Sequence, residues 1–130
     1  MKKLTLLESA YILVLLAAFA CSKDEPTPSL MGTWKFASET RSNCTDPADN
    51  GTGTCTADCF TLTFTATSYT FSAPGMTTVN GTYTTSGNSI TFTTSGGSSS
   101  TGTYTLKATT LELIATTSNG CTQVHTYNKQ

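Results

Sequence analysis

Charge is scarce in this sequence: only 12 % of its 130 residues are Asp, Glu, Lys or Arg, about half the share of an ordinary globular domain. Seven basic residues against eight acidic ones leave a net charge of -1. That excludes the basic footprint that nucleic-acid binding requires. There is one histidine, His125, and no serine in a nucleophile-elbow context accompanies it, so a catalytic role is not expected. No apolar run reaches the roughly 20 residues of a membrane-spanning helix. Helix formers such as Glu and Lys are also few, and in their place stand 30 Thr and 14 Ser. Threonine favours strands, so the composition excludes a helical bundle and points to an all-β protein.

The first residues read as an address. Met1-Lys2-Lys3 is a basic start and Ala10 to Ala20 is an apolar stretch, the layout of a signal peptide over residues 1–20. Leu16-Ala17-Ala18-Phe19-Ala20-Cys21 resembles a bacterial lipobox, which implies cleavage before Cys21 and lipidation of its thiol. Two or three acyl chains anchor a protein stably where a single chain does not. The next residues, Ser22-Lys23-Asp24-Glu25, resemble the surface-export signal of lipoproteins in the Bacteroidetes. Outer-membrane localisation facing outward is therefore expected, with the periplasmic face as the alternative. Pro26, Pro28 and Ser29 complete a polar tether over residues 21–29.

Residues 30–130 form one domain, in which hydrophobic alternation is broken by turn signals every 8 to 14 residues. Phe60, Leu62 and Phe64 alternate with Thr61, Thr63 and Thr65 in an uninterrupted period of two. Similar patterns centre on Trp34 and Phe36, on Tyr69 and Phe71, on Val79 and Tyr83, and on Ile90 and Phe92. Three more follow at Tyr104 and Leu106, at Leu111 and Leu113, and from Cys121 to Tyr127. Eight strands with short links must be antiparallel, because parallel crossovers need a dozen residues or more. Their meander order favours an up-and-down barrel over a sandwich. Gly81, isolated within a strand, is a candidate for the kink that closes it.

Gly32-x-Trp34 on the first strand, the eight-strand meander and the ending Thr126-Tyr127-Asn128-Lys129 together resemble the small lipocalin-like domains of bacterial lipoproteins. The resemblance implies that Trp34 plugs one end of the barrel with Lys129 packed over it. It also implies a small hydrophobic ligand, for which Phe36, Phe64, Phe71, Tyr83, Phe92 and Tyr104 are the candidate lining. The alternative is a non-catalytic surface module with a filled core, binding protein or glycan as an inhibitor or adhesion accessory. Either way a monomer without a cofactor is expected, with the membrane as its partner through the lipid anchor.

Four further cysteines, Cys44, Cys55, Cys59 and Cys121, lie in an exported chain, where disulfides are the default. Strand order gathers all four at one rim. With the first strand between them, Cys59 and Cys121 stand two strand spacings apart, about 9.6 Å, too far for a bridge; Cys121 is then left to pair with Cys44 or Cys55. A zinc site is disfavoured by the oxidising compartment and by the lack of a second close cysteine pair. The loop from Glu39 to Asp58 carries Asp46, Asp49 and Asp58, but their spacing is not that of a calcium loop. This loop is read instead as a rim or lid, and no metal is assigned. The last strand has two possible parities: one turns Gln123 and His125 inward, where with no acidic partner nearby in sequence they suit ligand hydrogen bonding better than catalysis, and the other, which is preferred, leaves His125 on the surface. The Thr-x-Thr runs at 61–65, 82–84, 91–93 and 103–105 lack the constant period of an ice-binding solenoid. They read as the wet outer face of a sheet.

Overall fold

The structure, a computed structural model, describes residues 27–130. The proposed signal peptide, Cys21 and the first part of the tether lie outside the described residues. Nine strands follow in chain order: β1 Gly32–Ser42, β2 Gly51–Thr54, β3 Thr61–Phe64, β4 Ser68–Ser72, β5 Val79–Ser86, β6 Ser89–Thr94, β7 Ser99–Leu106, β8 Thr110–Thr116 and β9 Thr122–Lys129. All neighbours are antiparallel, and β1 pairs with β9 to close the sheet into a barrel. The eight-stranded meander read from the sequence is thus present, with β2 added to it.

β2 and β3 lie along the same side of β1. Ser38 to Arg41 of β1 pair with β2, and Gly32 to Lys35 pair with β3. Together they act as one barrel wall interrupted by residues 55–60. Two hydrogen bonds carry the ladder across the break, from Cys55 N to Ala37 O (2.9 Å) and from Phe36 N to Phe60 O (3.0 Å). A disulfide between Cys55 and Cys59 staples the excess loop. The second disulfide joins Cys44 to Cys121 across 77 residues. Only this one stands at the rim. The expectation that all four sulfurs share the rim is corrected, because the interruption in the wall carries the other pair down beside Ala37.

The two ends of the barrel differ. At one end Trp34 is fully buried, and its Nε1 donates 2.7 Å to the Leu30 carbonyl. Lys129 Nζ lies 5.1 Å from the Trp34 ring centroid, within cation–π range. Leu62, Phe64, Tyr69, Ile90, Leu111 and Tyr127 pack in the same core and fill this part of the barrel. The other end, the mouth, carries the Cys44–Cys121 bridge, the β1–β2 connection and the turns at 73–78, 95–98 and 117–121. Outside, threonine hydroxyls pair across strands, Thr91 with Thr101 at 2.8 Å and Thr93 with Ser99 at 2.9 Å. Such pairs solvate the sheet without charge.

Gly81 lies in β5 between Tyr69 of β4 and Thr94 of β6. A Cβ there would lie 2.1 Å from the Thr93 carbonyl oxygen and 2.7 Å from the Tyr69 ring. Gly81→Ala is therefore expected to destabilise the barrel by about 2 kcal/mol or more, since backbone cannot yield as a side chain can. Urea unfolding midpoints measure it, and an unchanged midpoint would show that the approach is relieved cheaply.

Candidate functional site

The mouth takes its character from an irregularity in β1. Trp34 pairs with Lys129 and Phe36 with Tyr127, but beyond a bulge at Ala37 it is Glu39 that pairs with His125 and Arg41 with Gln123. A bulge inserts one residue and so reverses the alternation of faces. Below Ala37 the even positions of β1 face inward; above it the odd ones do. Glu39 and Arg41 consequently share the inner face with Gln123, His125 and Tyr127. The reading that left His125 on the surface is thus corrected. Its acidic partner is Glu39, 86 residues away in the chain, with Oε2 at 3.0 Å from His125 Nε2.

Glu39 is the hub of this group. Its carboxylate accepts from Arg41 Nε and approaches His125, with Gln123 beside them on the inner face of β9. Burial pushes the Glu39 carboxyl up, but the polar side chains of Gln123, Arg41 and His125 and the charge of Arg41 together outweigh it and hold the carboxyl below its ordinary value. Burial also pushes the Tyr127 hydroxyl up, with the Glu39 charge adding to it. A carboxyl whose value is lowered by folding contributes stability above its unfolded value, and that contribution is lost as pH falls through the folded one. Glu39→Gln is therefore expected to be less stable than the parent at neutral pH and to converge on it below about pH 4. Thermal melts across that range test the sign, and a gap that stays constant with pH would contradict the network.

Beneath the polar group lies an aromatic floor. Phe36 stacks on Phe60 at 4.2 Å between centroids, and Phe60 leans on Phe71 at 5.0 Å. His125 and Tyr127 meet the Phe36 ring edge-on. The Cys55–Cys59 staple sets Phe60 in place, since Phe60 follows it directly and bonds to the Phe36 backbone. Two recesses lie near this group, the first of them walled by Phe36. One, of about 420 Å³, is lined by Phe36, Glu39, Arg41, Asp49 and the β2 backbone. The other, of about 170 Å³, lies beside Phe92, Leu113, Gln123 and His125. On β2 the register places Gly51 opposite Arg41 and Gly53 opposite Glu39, so both glycines face inward. A Cβ at either would meet nothing within 4 Å. Packing does not demand glycine there; what glycine leaves is bare backbone that a bound molecule can approach closely.

The residues expected to line a ligand site divide between the two ends. Phe36, Phe71 and Phe92 are half-buried on the inner face, with Phe36 and Phe92 in the recess walls. Phe64 is buried in the core with Tyr83 edge-on at 4.9 Å, and Tyr104 packs against the same core. Of the loop acids, Asp46 caps the 3-10 turn Pro47–Asp49 by accepting from Ala48 N at 2.9 Å. Asp49 reaches the larger recess, while Asp58 sits inside the stapled loop with φ of 52°. Among the described residues, no three His, Cys, Asp or Glu side chains gather to hold a metal ion. No serine, threonine or cysteine side chain is hydrogen-bonded to the Glu39–His125 pair among the described residues.

A closed eight-walled meander, plugged by tryptophan at one end and open at the other, defines a barrel of the lipocalin type. The chain belongs to the lipocalin-like domain family, whose pattern matches residues 30–113. Among solved structures it is similar to a lipocalin-like protein from Bacteroides uniformis, at 16 % identity and a TM-score of 0.57, over 78 % of this chain and 98 % of that one. A redesigned β-barrel is similar at 21 % identity and a TM-score of 0.48, over 78 % of this chain and 91 % of that one. No curated protein matches the sequence significantly.

Proposed function

We propose that the protein is a non-catalytic lipoprotein, anchored to the outer membrane through Cys21 and facing the cell surface, that holds one small and mainly apolar ligand in the barrel mouth. The observation that carries this reading is the pairing of a half-buried aromatic floor with an open recess of about 420 Å³, within the size range of small-molecule sites. Because Trp34, Phe64 and Tyr69 fill the far end, the ligand is confined to the mouth. Its apolar body rests on Phe36, which Phe60 backs, and its polar end meets Arg41, whose guanidinium is half exposed and oriented by Glu39. The lipobox and the residues after Cys21 support the anchor.

Titration with Nile red, a neutral apolar dye, tests the site. One saturable site is expected, weakened about tenfold by Phe36→Ala, a loss of ~1.4 kcal/mol, and less by Arg41→Ala, which leaves the floor in place. Dye binding that both variants leave unchanged would place the site elsewhere. For the anchor, Cys21→Ala is expected to move the protein from the membrane fraction to the soluble one. Retention in the membrane would contradict it.

A further inference from the structure

We propose that the closed end of the barrel is a membrane-facing surface, docked on anionic lipid headgroups through Met31, Lys107 and Lys129, so that the mouth is held away from the bilayer. The inference rests on the anchoring at Cys21 and adds an orientation to it. The chain enters the barrel at the closed end, where Lys129 Nζ donates to the Ser29 carbonyl (3.4 Å) and Trp34 Nε1 to the Leu30 carbonyl. The tether is thus fixed to this end at its last residue. Residues 21–29, fully extended, span at most about 30 Å. The barrel itself is nearly as tall, since an 11-residue β1 tilted as barrel strands are rises about 27 Å. To lay the mouth on the membrane the tether would have to run taut along the whole wall. With the closed end down it needs no extension at all.

The side chains at the two ends agree with this. The closed end carries Lys107 in the β7–β8 turn and Lys129 at the end of β9, both exposed, and its turns at 65–67, 87–88 and 107–109 hold no acidic residue. Met31, 53 % exposed, projects from the same end beside the tether. Exposed lysines around an apolar side chain suit a lipid surface, and each lysine near an anionic surface shifts the docked population by up to about fivefold. The mouth carries Glu39, Asp46 and Asp49 against Arg41, a balance that anionic headgroups repel.

Met76, 66 % exposed in the turn after β4, stands at the mouth end. The two exposed methionines therefore report on opposite ends with the same chemistry. Full-length acylated protein is reconstituted into vesicles of phosphatidylglycerol and phosphatidylethanolamine, footprinted with hydroxyl radicals, and compared with the Cys21→Ala protein free in solution. The Met31-to-Met76 oxidation ratio is expected to fall at least threefold on the vesicles, and Lys107→Glu is expected to restore about half of that protection without releasing the protein. An unchanged ratio in protein that carries acyl groups and sediments with the vesicles overturns the orientation alone, as does protection of Met76. Protein that lacks acyl groups and fails to sediment overturns the anchor and the orientation together.

Discussion

Removing the Cys44–Cys121 bridge with the paired Cys44→Ala and Cys121→Ala substitutions is expected to destabilise the barrel by about 4 kcal/mol, roughly twice the effect of removing Cys55–Cys59. The difference follows from loop length. The first bridge closes a loop across 77 residues and the second one across 4, and the chain entropy withheld from the unfolded state grows with the logarithm of that number, giving about 4 and 2 kcal/mol. For a domain of this size the larger loss corresponds to roughly 20 °C in melting temperature. Calorimetry of both paired variants measures it, and equal losses would contradict the entropic account. The smaller bridge has a different signature, because it holds Phe60 against Phe36 at the mouth. Its removal is expected to weaken Nile red binding more than it lowers the melting temperature.

Trp34→Ala is expected to cost about 3–5 kcal/mol, the range for emptying a buried aromatic site. Trp34 is fully buried, and its ring underlies Lys129 while its Nε1 satisfies the Leu30 carbonyl. Its loss opens the plug and frees the segment that ties the tether to the barrel. Trp34→Phe keeps most of the volume and gives up the indole hydrogen bond, so a loss of about 1 kcal/mol beyond the volume change isolates that bond. Denaturant midpoints with an unchanged slope are the readout. If Trp34→Ala cost no more than a surface substitution, the closed end would not be the packed core described above.

The barrel was legible because its lower two-thirds obeys a simple period. Phe60-Leu62-Phe64, Tyr69-Phe71 and Leu111-Leu113 each put an apolar side chain inside and a Thr, Ser or Glu outside, and alternation of that kind has one solution in an antiparallel meander. The mouth was not legible for the same physical reason. The bulge at Ala37 reverses the parity of β1, so Glu39 and Arg41 read as the start of a loop although they continue the strand to Ser42. β2 hid altogether, since its inward positions are Gly51 and Gly53 and carry no side chains whose alternation could be read. The partner of His125 is 86 residues away, across the closing pair β1–β9, and no local pattern announces it. A bulge is hinted at only by Ala37-Ser38, two small residues just beyond an alternating Trp34 and Phe36.

The mouth is expected to hold one small molecule and the rest of the barrel none. Native mass spectrometry of the full-length protein, released in mild detergent from the membranes of the cells that make it, tests this most directly. A one-to-one adduct of a small apolar molecule, lost in Phe36→Ala and retained in a closed-end variant such as Lys107→Gln, is the expected result. A bare acylated mass under conditions that preserve non-covalent complexes, or an adduct that Phe36→Ala leaves in place, would contradict it.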